Sequence, residues 1–469
     1  MTRIRGDDLI AIGLEQGPVF GVALGALPKA VKRLGREQAL AELQAVVAAA
    51  EEHVDHPYFA AVAAKVIAAR PPEPAVFTER EAPAPFASWC IDAEPGALSQ
   101  MENALRLPSA VRGALMPDAH QGYGLPIGGV LATEGTVIPY AVGVDIACRM
   151  KLTVLDLPST MLDEQSGALE RALLRETQFG KGKSLSERAD HAVLDAGRWT
   201  GTTHLRDLRD TAAGQLGTSG SGNHFVEFGR LDLASDDLGL AAGSYLALLS
   251  HSGSRGPGAR IADRYTKIAR SLHPELPREL SFLSWLELES EPGQEYWDAM
   301  NLMGEFAAAS HEVIHARVAR HLAAGVLAVV ENHHNFAWRE RHGDRDVVVH
   351  RKGATPAGAG VLGVIPGSMA TPGFVVRGRG VPESLESASH GAGRAMSRTA
   401  ARERFTWKQV QPLLDRAGVK LLSAGIDENP LVYKDINAVI AAQSDLVDVV
   451  ARFTPRIVRM ADAGEKPED

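Results

Sequence analysis

The stretch Val137-Ile138-Pro139-Tyr140-Ala141-Val142-Gly143-Val144-Asp145-Ile146-Ala147-Cys148 joins an apolar run to a turn that ends in an aspartate and a cysteine. The apolar run, residues 137–144, predicts a strand. Further strands are predicted over 129–132 and 347–350, and helices over 97–105 and 301–326. Strands that alternate with helices in this way indicate a mixed α/β core.

Asp145 and Cys148 stand three residues apart on the turn that follows the apolar run. Both side chains can therefore face one cation, and a thiolate has enough lone pairs to bridge two cations. A buried structural cysteine produces the same local pattern. The turn by itself leaves both interpretations open.

Three further segments place histidines beside glycines or amides. They are residues 217–227, 251–256 and 332–335. His224, His251 and His334 are candidate metal ligands, while Asn223 offers a hydrogen-bonding amide and Glu227 an acceptor for a ribose or a base. Each segment alone also fits a structural turn. Four such clusters, counting Asp145 and Cys148, in a chain with 16 histidines favour one shared metal site.

The segment Ser389-His390-Gly391-Ala392-Gly393-Arg394-Ala395-Met396-Ser397-Arg398 places a histidine in a glycine-rich, arginine-flanked turn. A histidine ring nitrogen can attack phosphorus and later leave again. Glycines let backbone N–H groups approach phosphate oxygens, and arginines offset negative charge. We therefore interpret His390 as a nucleotide-accepting histidine. The segments 351–354 and 365–369 are further candidate phosphate-binding turns, with strand-connecting loops as the alternative.

A protease motif competes with this interpretation. His311-Glu312-Val313-Ile314-His315 matches H-E-x-x-H, and His321 stands where a third zinc ligand is expected. On an unbroken helix, however, ten residues turn through about 1000°, so His321 lies off the face that carries His311. The motif is therefore interpreted as structural.

Composition limits the class of protein. The 469 residues carry a net charge of −9 and two cysteines, and they contain no apolar run long enough for a membrane span or a signal peptide. We expect a cytoplasmic protein without a disulfide framework. The net charge argues against nonspecific nucleic-acid binding. A local basic groove is still expected near the histidine turn, from Arg377, Arg379, Arg394, Arg398, Arg402, Arg404 and Lys408.

The length and the proline positions predict two domains. Residues 1–70 are expected to form a helical extension that binds RNA or a partner, with helices near 37–48 and 60–69 and a break at Gly17-Pro18. A proline-rich linker is expected over 71–85. The catalytic domain then spans 86–462, and 463–469 form a tail. Residues 9–21 resemble the small helical tail modules of tRNA nucleotidyltransferases, with a plain interaction module as the alternative.

Taken in order, segments across residues 86–460 resemble the RtcB family of RNA-splicing ligases. The matching segments are 116–122, 143–148, 222–227, 251–256, 334–335, 351–354, 366–369, 390–398, 433–436 and 444–447. The resemblance implies an RtcB-like α/β catalytic core preceded by the small helical module.

The resemblance also implies ligands and roles. It implies two manganese ions that share Cys148, one completed by Asp145 and His224 and the other by His251 and His334. His390 corresponds to the nucleophile that becomes guanylylated. The implied GTP contacts are Asn223, Phe225, Val226, Glu227, His334, Asn335, Pro366, Gly367, Ser368, Met369, Gly391, Ala392 and Gly393.

The implied reaction has three nucleotidyl steps. His390 takes GMP from GTP, GMP passes to an RNA 3′-phosphate that is first opened from its 2′,3′-cyclic form, and an RNA 5′-hydroxyl displaces GMP. The implied partners are such RNA ends, GTP and an archease-type activator, and no membrane. The alternatives are a nucleotidyltransferase that caps phosphate ends without sealing, a metal phosphodiesterase, and an RNA-binding paralogue without activity.

This chain departs from the family pattern at several positions. Tyr123 replaces a lysine that many members carry in an H-x-G-K-G turn, Ser310-His311 replaces an Asn-Arg pair, and Gly373 replaces a serine that faces the nucleotide. The family's near-terminal, guanine-contacting lysine falls near Ala461. We therefore expect weakened discrimination between GTP and ATP, unless Lys466 or Arg459 restores that contact.

Overall fold

The computed structural model describes residues 6–12, 14, 17–69 and 78–465. The described residues form two compact units, one ending at residue 69 and the other beginning at residue 78. The expected linker at 71–85 lies partly outside the described residues, since 70–77 are not described. The last four residues of the expected tail, including Lys466, also lie outside them.

The first unit is helical. Its helices are α1 (Gly6–Ala11), α2 (Pro18–Leu34), α3 (Arg36–Ala48) and α4 (Ala60–Ala69). The predicted helices at 37–48 and 60–69 and the break before Pro18 are confirmed. Fully buried Leu43 and Phe59 belong to an apolar core formed within this unit. A separate core of this kind is what an independently folding module requires.

The second unit mixes helices and strands, as predicted. Its helices are α5 (Pro95–Leu105), α6 (Pro139–Val142), α7 (Met161–Glu164), α8 (Ser166–Glu176), α9 (Thr203–Gln215), α10 (Arg255–Leu272), α11 (Glu291–His321), α12 (Arg398–Arg404), α13 (Trp407–Ala417) and α14 (Ile436–Ala442). Its strands are β1 (Phe86–Ser88), β2 (Ala110–Tyr123), β3 (Leu125–Thr133), β4 (Thr136–Val137), β5 (Arg149–Leu155), β6 (Phe225–Leu233), β7 (Gly243–Ser252), β8 (Leu286–Glu287), β9 (Val326–His333), β10 (Phe336–His342), β11 (Arg345–Lys352), β12 (Ala354–Pro356), β13 (Leu362–Ile365), β14 (Gly373–Gly378), β15 (Ser387–Ser389), β16 (Lys420–Ser423) and β17 (Val447–Met460).

The largest sheet has eight strands and curls towards a closed barrel. Its order is β13-β14-β17-β6-β7-β5-β9, and β16 pairs with β17 outside this path. The side chain of Asn332 in β9 connects the two ends, because its Oδ1 accepts from Val364 N at 2.8 Å and its Nδ2 donates to Val364 O at 3.3 Å. Alternate residues of β5, including Met150 and Leu152, pack in the apolar interior of this sheet.

The long helix α11 packs on the outer face of this sheet. It ends at His321, and residues 326–333 form a strand, so the predicted helix at 301–326 is too long. Ser250 Oγ lies 2.6 Å from His311 Nδ1 and 2.7 Å from His315 Nε2. His321 contacts Glu176 instead, at 3.0 Å. His311 and His315 therefore share Ser250, while His321 is bonded elsewhere, so the three rings do not converge on one point, as the structural interpretation of the protease motif requires.

A second sheet has five strands in the order β1-β2-β3-β11-β10. Strands β2 and β3 form an antiparallel hairpin whose tip is Tyr123-Gly124-Leu125. Small sheets β12-β15 and β4-β8 complete the strand pairing of the described chain. The five-stranded sheet carries Asp118 on β2 and leads from β11 to Gly353, and both residues lie next to His390.

The predicted strand at 137–144 is wrong over most of its length. The strand covers only Thr136–Val137, and Pro139 begins the helical turn α6. Proline is favoured at the first helical position, because the missing N–H has no helical acceptor there. The Asp145 and Cys148 turn therefore leads from a helical turn into β5, and it does not leave a strand.

Within the described residues, no helix combines the length and apolar character needed to cross a membrane.

Candidate active site

Four candidate metal ligands lie at one edge of the eight-stranded sheet. His224 directly precedes β6, His251 lies near the end of β7, Cys148 precedes β5, and His334 follows β9. Strands β6, β7, β5 and β9 are consecutive neighbours and antiparallel, so the start of one strand adjoins the end of the next. The topology therefore brings together residues that lie far apart in the sequence.

The Cys148 sulfur is central to this cluster. Its Sγ lies 3.4 Å from His224 Nε2 and 3.1 Å from His251 Nε2. His224 Nε2 also lies 3.0 Å from Asp145 Oδ2. Cys148, His224 and His251 form a buried group whose ligand atoms all lie within 4.8 Å of one another. One sulfur thus contacts two imidazoles on different sides, as a bridging ligand must.

His251 and His334 form the other half of the cluster. Their Nε2 atoms are 3.3 Å apart. The Nδ1 of His251 lies 3.2 Å from the carbonyl oxygen of Asn223, which can only accept, so Nδ1 carries the ring proton. Burial, followed by the charge of His224, lowers the pKa of His251 to about 3, so the ring is neutral. Its Nε2 lone pair is therefore free to bind a cation.

Burial controls the charge of the remaining ligands. Burial raises the pKa of the Cys148 thiol well above its ordinary value, and Asp145 raises it further. Burial also acts to raise the pKa of Asp145, but hydrogen bonding and charge from His224 and the charge of Arg255 outweigh it and lower that pKa to about 2. The cluster thus holds an ionised carboxylate beside a thiol that needs a nearby cation to lose its proton.

Arg255 lies beneath His224. Its Nη1 lies 3.1 Å from His224 Nδ1, and a guanidinium can only donate, so Nδ1 is the acceptor and the N–H of this ring is on Nε2. That proton points towards Asp145 and Cys148. A cation bound by His224 Nε2 would take the place of this proton, and Arg255 would then stabilise the electron-rich ring.

The backbone around these ligands adopts an unusual conformation. Ala147 and Asn335 both have φ of 56°, in the left-handed region. Ala147 N donates to Asn335 O and His334 N donates to Cys148 O, each at 2.8 Å. The Asn335 side chain adds a bond from Nδ2 to Asp145 O at 3.3 Å. Two strained turns thus hold each other in place and fix the ligands they carry.

His390 lies against the cluster and is held by a buried carboxylate. Its ring centroid is 4.8 Å from that of His334. Its Nδ1 lies 2.7 Å from Oδ2 of Asp118, which is fully buried, and Gly391 N lies 3.4 Å from the same oxygen. Because a carboxylate accepts, Nδ1 donates, and the Nε2 lone pair is left for reaction. Asp118 is 272 positions away in the sequence; it lies in the family-like segment 116–122, but no spacing links it to His390.

The glycines around His390 are required for close packing. Gly393 has φ of 74°, and a Cβ there would overlap the backbone carbonyl of Asp118. At Gly353 a Cβ would lie 3.2 Å from His390 Cε1 and closer still to Ile127. The predicted phosphate-binding turns at 353 and 391–393 therefore form the wall next to the histidine, where the Gly391, Ala392 and Gly393 backbone borders the cavity.

A cavity of about 580 Å³ connects these groups. The sequence-predicted residues that line it are Asp145, Cys148, Asn223, Phe225, Glu227, His251, His334, Asn335, Pro366, Gly367, Ser368, Met369, His390, Gly391, Ala392 and Gly393. His224 is buried behind this surface. Val226 packs in the apolar core on the opposite face of β6, because side chains alternate along a strand.

Glu227 is the buried acid of the cavity wall. Burial raises the pKa of its carboxyl well above the ordinary value. Met369, Gly373 and Met460 line the same cavity, so an acid stands among largely apolar groups. Such a pocket suits a flat base that offers hydrogen-bond donors to the carboxylate.

Ala461 does not face this cavity. It is buried in the apolar core beside Phe179, and Met460 lines the cavity in its place. Arg459 Nη1 donates to the carbonyl oxygens of Leu173 and Thr177, at 2.7 and 3.0 Å. Of the described lysines, Lys181 and Lys352 line the cavity.

The expected basic groove is largely neutralised. Arg394, Arg398 and Arg402 form ion pairs with Asp427 or Glu428. Arg377 and Arg379 pair with Asp237 and Asp448 in the same way. Arg351, in the predicted turn at 351–354, is buried and bonded to Glu340. These arginines fix loops, and the sequence does not reveal their acidic partners, which lie outside the histidine turn.

Comparison with known proteins agrees with this geometry. Residues 100–461 match the family model described as tRNA-splicing ligase RtcB. The chain is 35% identical over 401 residues to RNA-splicing ligase RtcB of Escherichia coli strain K12, across 78% of this chain and 95% of that protein. It is 30% identical over 436 residues to tRNA-splicing ligase RtcB of Thermococcus kodakarensis, across 76% and 89% of the two chains. The family match begins after helices α1–α4.

Proposed function

The chain belongs to the RtcB family and is an RNA ligase, and we propose that it joins RNA 3′-phosphate or 2′,3′-cyclic phosphate ends to 5′-hydroxyl ends, using Mn²⁺, GTP and a histidine-GMP intermediate. The observation that carries the proposal is the pairing of His390 Nδ1 with buried Asp118 beside the Cys148 cluster. This pairing leaves one imidazole nitrogen with a lone pair at the cavity wall. A nucleophile of this type can carry a covalent nucleotide, whereas a metal phosphodiesterase in which water attacks directly needs none.

The donor set fits a pair of transition-metal ions. The donor groups lie together, and the His251 ring presents a lone pair. They are the carboxylate of Asp145, the imidazoles of His224, His251 and His334, and the sulfur of Cys148. Asp145, Cys148 and His224 would hold one ion, and Cys148, His251 and His334 the other. When bound, Mn²⁺ supplies positive charge to the phosphate oxygens.

In the first step, His390 Nε2 attacks the α-phosphorus of GTP, the new N–P bond forms, and the bond to the pyrophosphate leaving group breaks. Asp118 keeps the proton of His390 on Nδ1 and stabilises the cationic ring that forms after the attack. The 391–393 backbone lies where it can donate to phosphate oxygens, because these residues line the cavity without long side chains.

In the second and third steps, the RNA 3′-phosphate takes GMP from His390, and the 5′-hydroxyl oxygen then displaces GMP to form the phosphodiester bond. Water opens a 2′,3′-cyclic end beforehand. Glu227, among the residues proposed to contact GTP, would accept from the Watson–Crick edge of guanine. We further propose that residues 1–70 bind RNA or a partner, while 71–85 act as a linker before the catalytic domain at 86–462.

Covalent labelling tests the proposal. Incubation of the full chain with α-labelled GTP and Mn²⁺ should give a protein adduct that survives denaturing electrophoresis, is lost in acid and persists in base. His390→Ala should lose the adduct, whereas His342→Ala, at a histidine paired with Glu340, should keep it. An adduct on another residue would refute the role of His390.

Ligation of RNA with defined ends distinguishes sealing from capping. A labelled protein that transfers GMP to a 3′-phosphate but never forms the phosphodiester bond would favour the capping alternative. Turnover with and without an archease-type protein tests the expected activator.

A further inference from the structure

Three aromatic side chains gather at the tip of the β2–β3 hairpin. Tyr123 is 64% exposed. Its ring centroid lies 6.5 Å from that of Tyr140 and 5.8 Å from that of Phe282, and these two rings are 4.7 Å apart. We refer to Tyr123, Tyr140 and Phe282 as the aromatic platform. Tyr123 and Tyr140 both line the cavity that contains His390.

Burial does not account for Tyr123. A side chain with most of its surface in water contributes little to folding through the hydrophobic effect. An exposed aromatic ring at a cavity that also holds a reactive group is instead typical of a binding surface.

The tip of the hairpin is held rigidly. Lys352 Nζ donates to the carbonyl oxygen of Tyr123 at 2.5 Å and lies 4.9 Å from the ring centroid of Tyr140. Gly124 has φ of 67°, and a Cβ there would lie 3.0 Å from Phe282 O. The platform is therefore pre-organised, and a ligand that stacks on it would lose little further side-chain entropy.

The platform also lies near the nucleophile. Lys352, which holds Tyr123, is followed by Gly353, where a Cβ would lie 3.2 Å from His390 Cε1. The residue whose side chain anchors the hairpin tip is thus the chain neighbour of the glycine that packs against the reactive histidine. A nucleotide whose phosphate reacts at His390 can place its base, or that of its neighbour, towards this side of the cavity.

Two basic side chains accompany the aromatic rings. Lys352 lines the cavity beside Tyr140, where burial lowers its pKa to about 7, and exposed Arg270 lies 5.4 Å from the ring centroid of Phe282. Aromatic rings interleaved with cations are the usual surface for single-stranded nucleic acid, since rings stack on bases and cations attract phosphates. An apolar partner would not explain the cations, and a free phosphate would not explain the rings.

We propose that the aromatic platform stacks a nucleobase of the RNA end that reacts at His390, with Tyr123 as the principal contact. This inference rests on the proposed ligase function. Every base has a π-face, so the platform would accept RNA ends of different sequence.

Fluorescent RNA tests the platform. Two short single-stranded RNAs, one with 2-aminopurine beside a 3′-phosphate and one with 2-aminopurine beside a 5′-hydroxyl, are titrated with the full-length protein. Stacking should quench the fluorescence of at least one of them, and the arm that responds identifies the RNA end. Tyr123→Ala should abolish the quenching and weaken affinity by about 5- to 150-fold, the range for losing one stacked base.

Two matched variants separate stacking from charge and from misfolding. Tyr123→Phe keeps the ring and should bind and quench like the parent. Tyr123→Lys should lose the quenching and show a steeper dependence of affinity on salt, because it adds a phosphate contact. Thermal melting identifies a variant that has lost its fold.

The result that overturns the inference is an absence of quenching with both RNAs, or parental affinity and quenching in Tyr123→Ala. Labelling by GTP, which needs no RNA, is measured in parallel. Labelling of His390 without quenching rejects the platform alone. Quenching without labelling retains base stacking and rejects the histidine-GMP mechanism.

Discussion

Replacing Asp118 with asparagine tests whether the buried carboxylate activates His390. Asp118 accepts from His390 Nδ1 at 2.7 Å, is fully buried, and does not line the cavity. The variant keeps the shape of the side chain but loses its charge. An effect on the reaction would therefore act through the groups that Asp118 bonds, His390 Nδ1 and Gly391 N, and not through direct contact with the nucleotide.

The magnitude follows from this hydrogen bond. A hydrogen bond to a charged group contributes about 1.5–3 kcal/mol. The bond strengthens as His390 becomes positively charged during attack, so its loss should slow formation of the adduct by about 10- to 150-fold. Asp118→Ala should be slower still, because it also leaves the buried Nδ1–H without an acceptor.

The assay is single-turnover labelling with saturating GTP and Mn²⁺, together with a separate measurement of GTP affinity. We expect a lower labelling rate and an unchanged Kd. Thermal melting shows whether each variant is folded. A folded Asp118→Asn protein that labels at a rate within about threefold of the parent, or one whose loss lies entirely in GTP affinity, would show that Asp118 is only structural.

Three further predictions concern the metal ions and the base. Cys148→Ala should lose metal at both positions while His334→Ala loses chiefly one ion, and elemental analysis showing parental metal content in the Cys148 variant would contradict the bridging role. Burial raises the pKa of Glu227, so the folded state loses stability relative to the unfolded state as pH rises above about 4.5. Glu227→Gln removes this loss and should therefore raise Tm more near pH 7 than near pH 4, while weakening GTP binding. A pH-independent change in Tm would refute this. Because Ala461 is buried in the core, the preference for GTP over ATP should be about 5- to 150-fold smaller than at a site with a lysine donor. Competition between the two labelled nucleotides measures this preference, and a GTP preference beyond that range would reveal another contact.

The sequence predicts the chemistry of the site better than its surroundings. His224, His251 and His334 each adjoin a strand end, and their residue types point to a metal before any contact is known. The Cys148 turn is interpreted as a metal-binding turn only because these histidine segments are present, since the turn alone fits a structural cysteine equally well. Residue types thus suffice to predict the ligands, whereas the pairing of β5 with β7 and β9, which brings them together, joins strands far apart in the sequence.

The surroundings depend on contacts between distant segments. Asp118 and His390 are 272 positions apart, so no spacing rule links them. The arginines near the histidine turn look free in the sequence, but Asp427 and Glu428 reach them from another segment. The error at 137–144 is different, because Pro139 is a local signal for a helix start that the apolar pattern outweighed in the prediction.

All the candidate metal ligands lie at one edge of the eight-stranded sheet, so the opposite edge carries none of them. The connection between β6 and β7, residues 234–242, leaves the sheet at that far edge, where Leu233 pairs with Gly243. Asp237 in this loop pairs with Arg377, whereas residues 234–236 and 241–242 are exposed. A tag or an optical reporter inserted at these exposed residues should therefore leave the register of His224 against His251 unchanged.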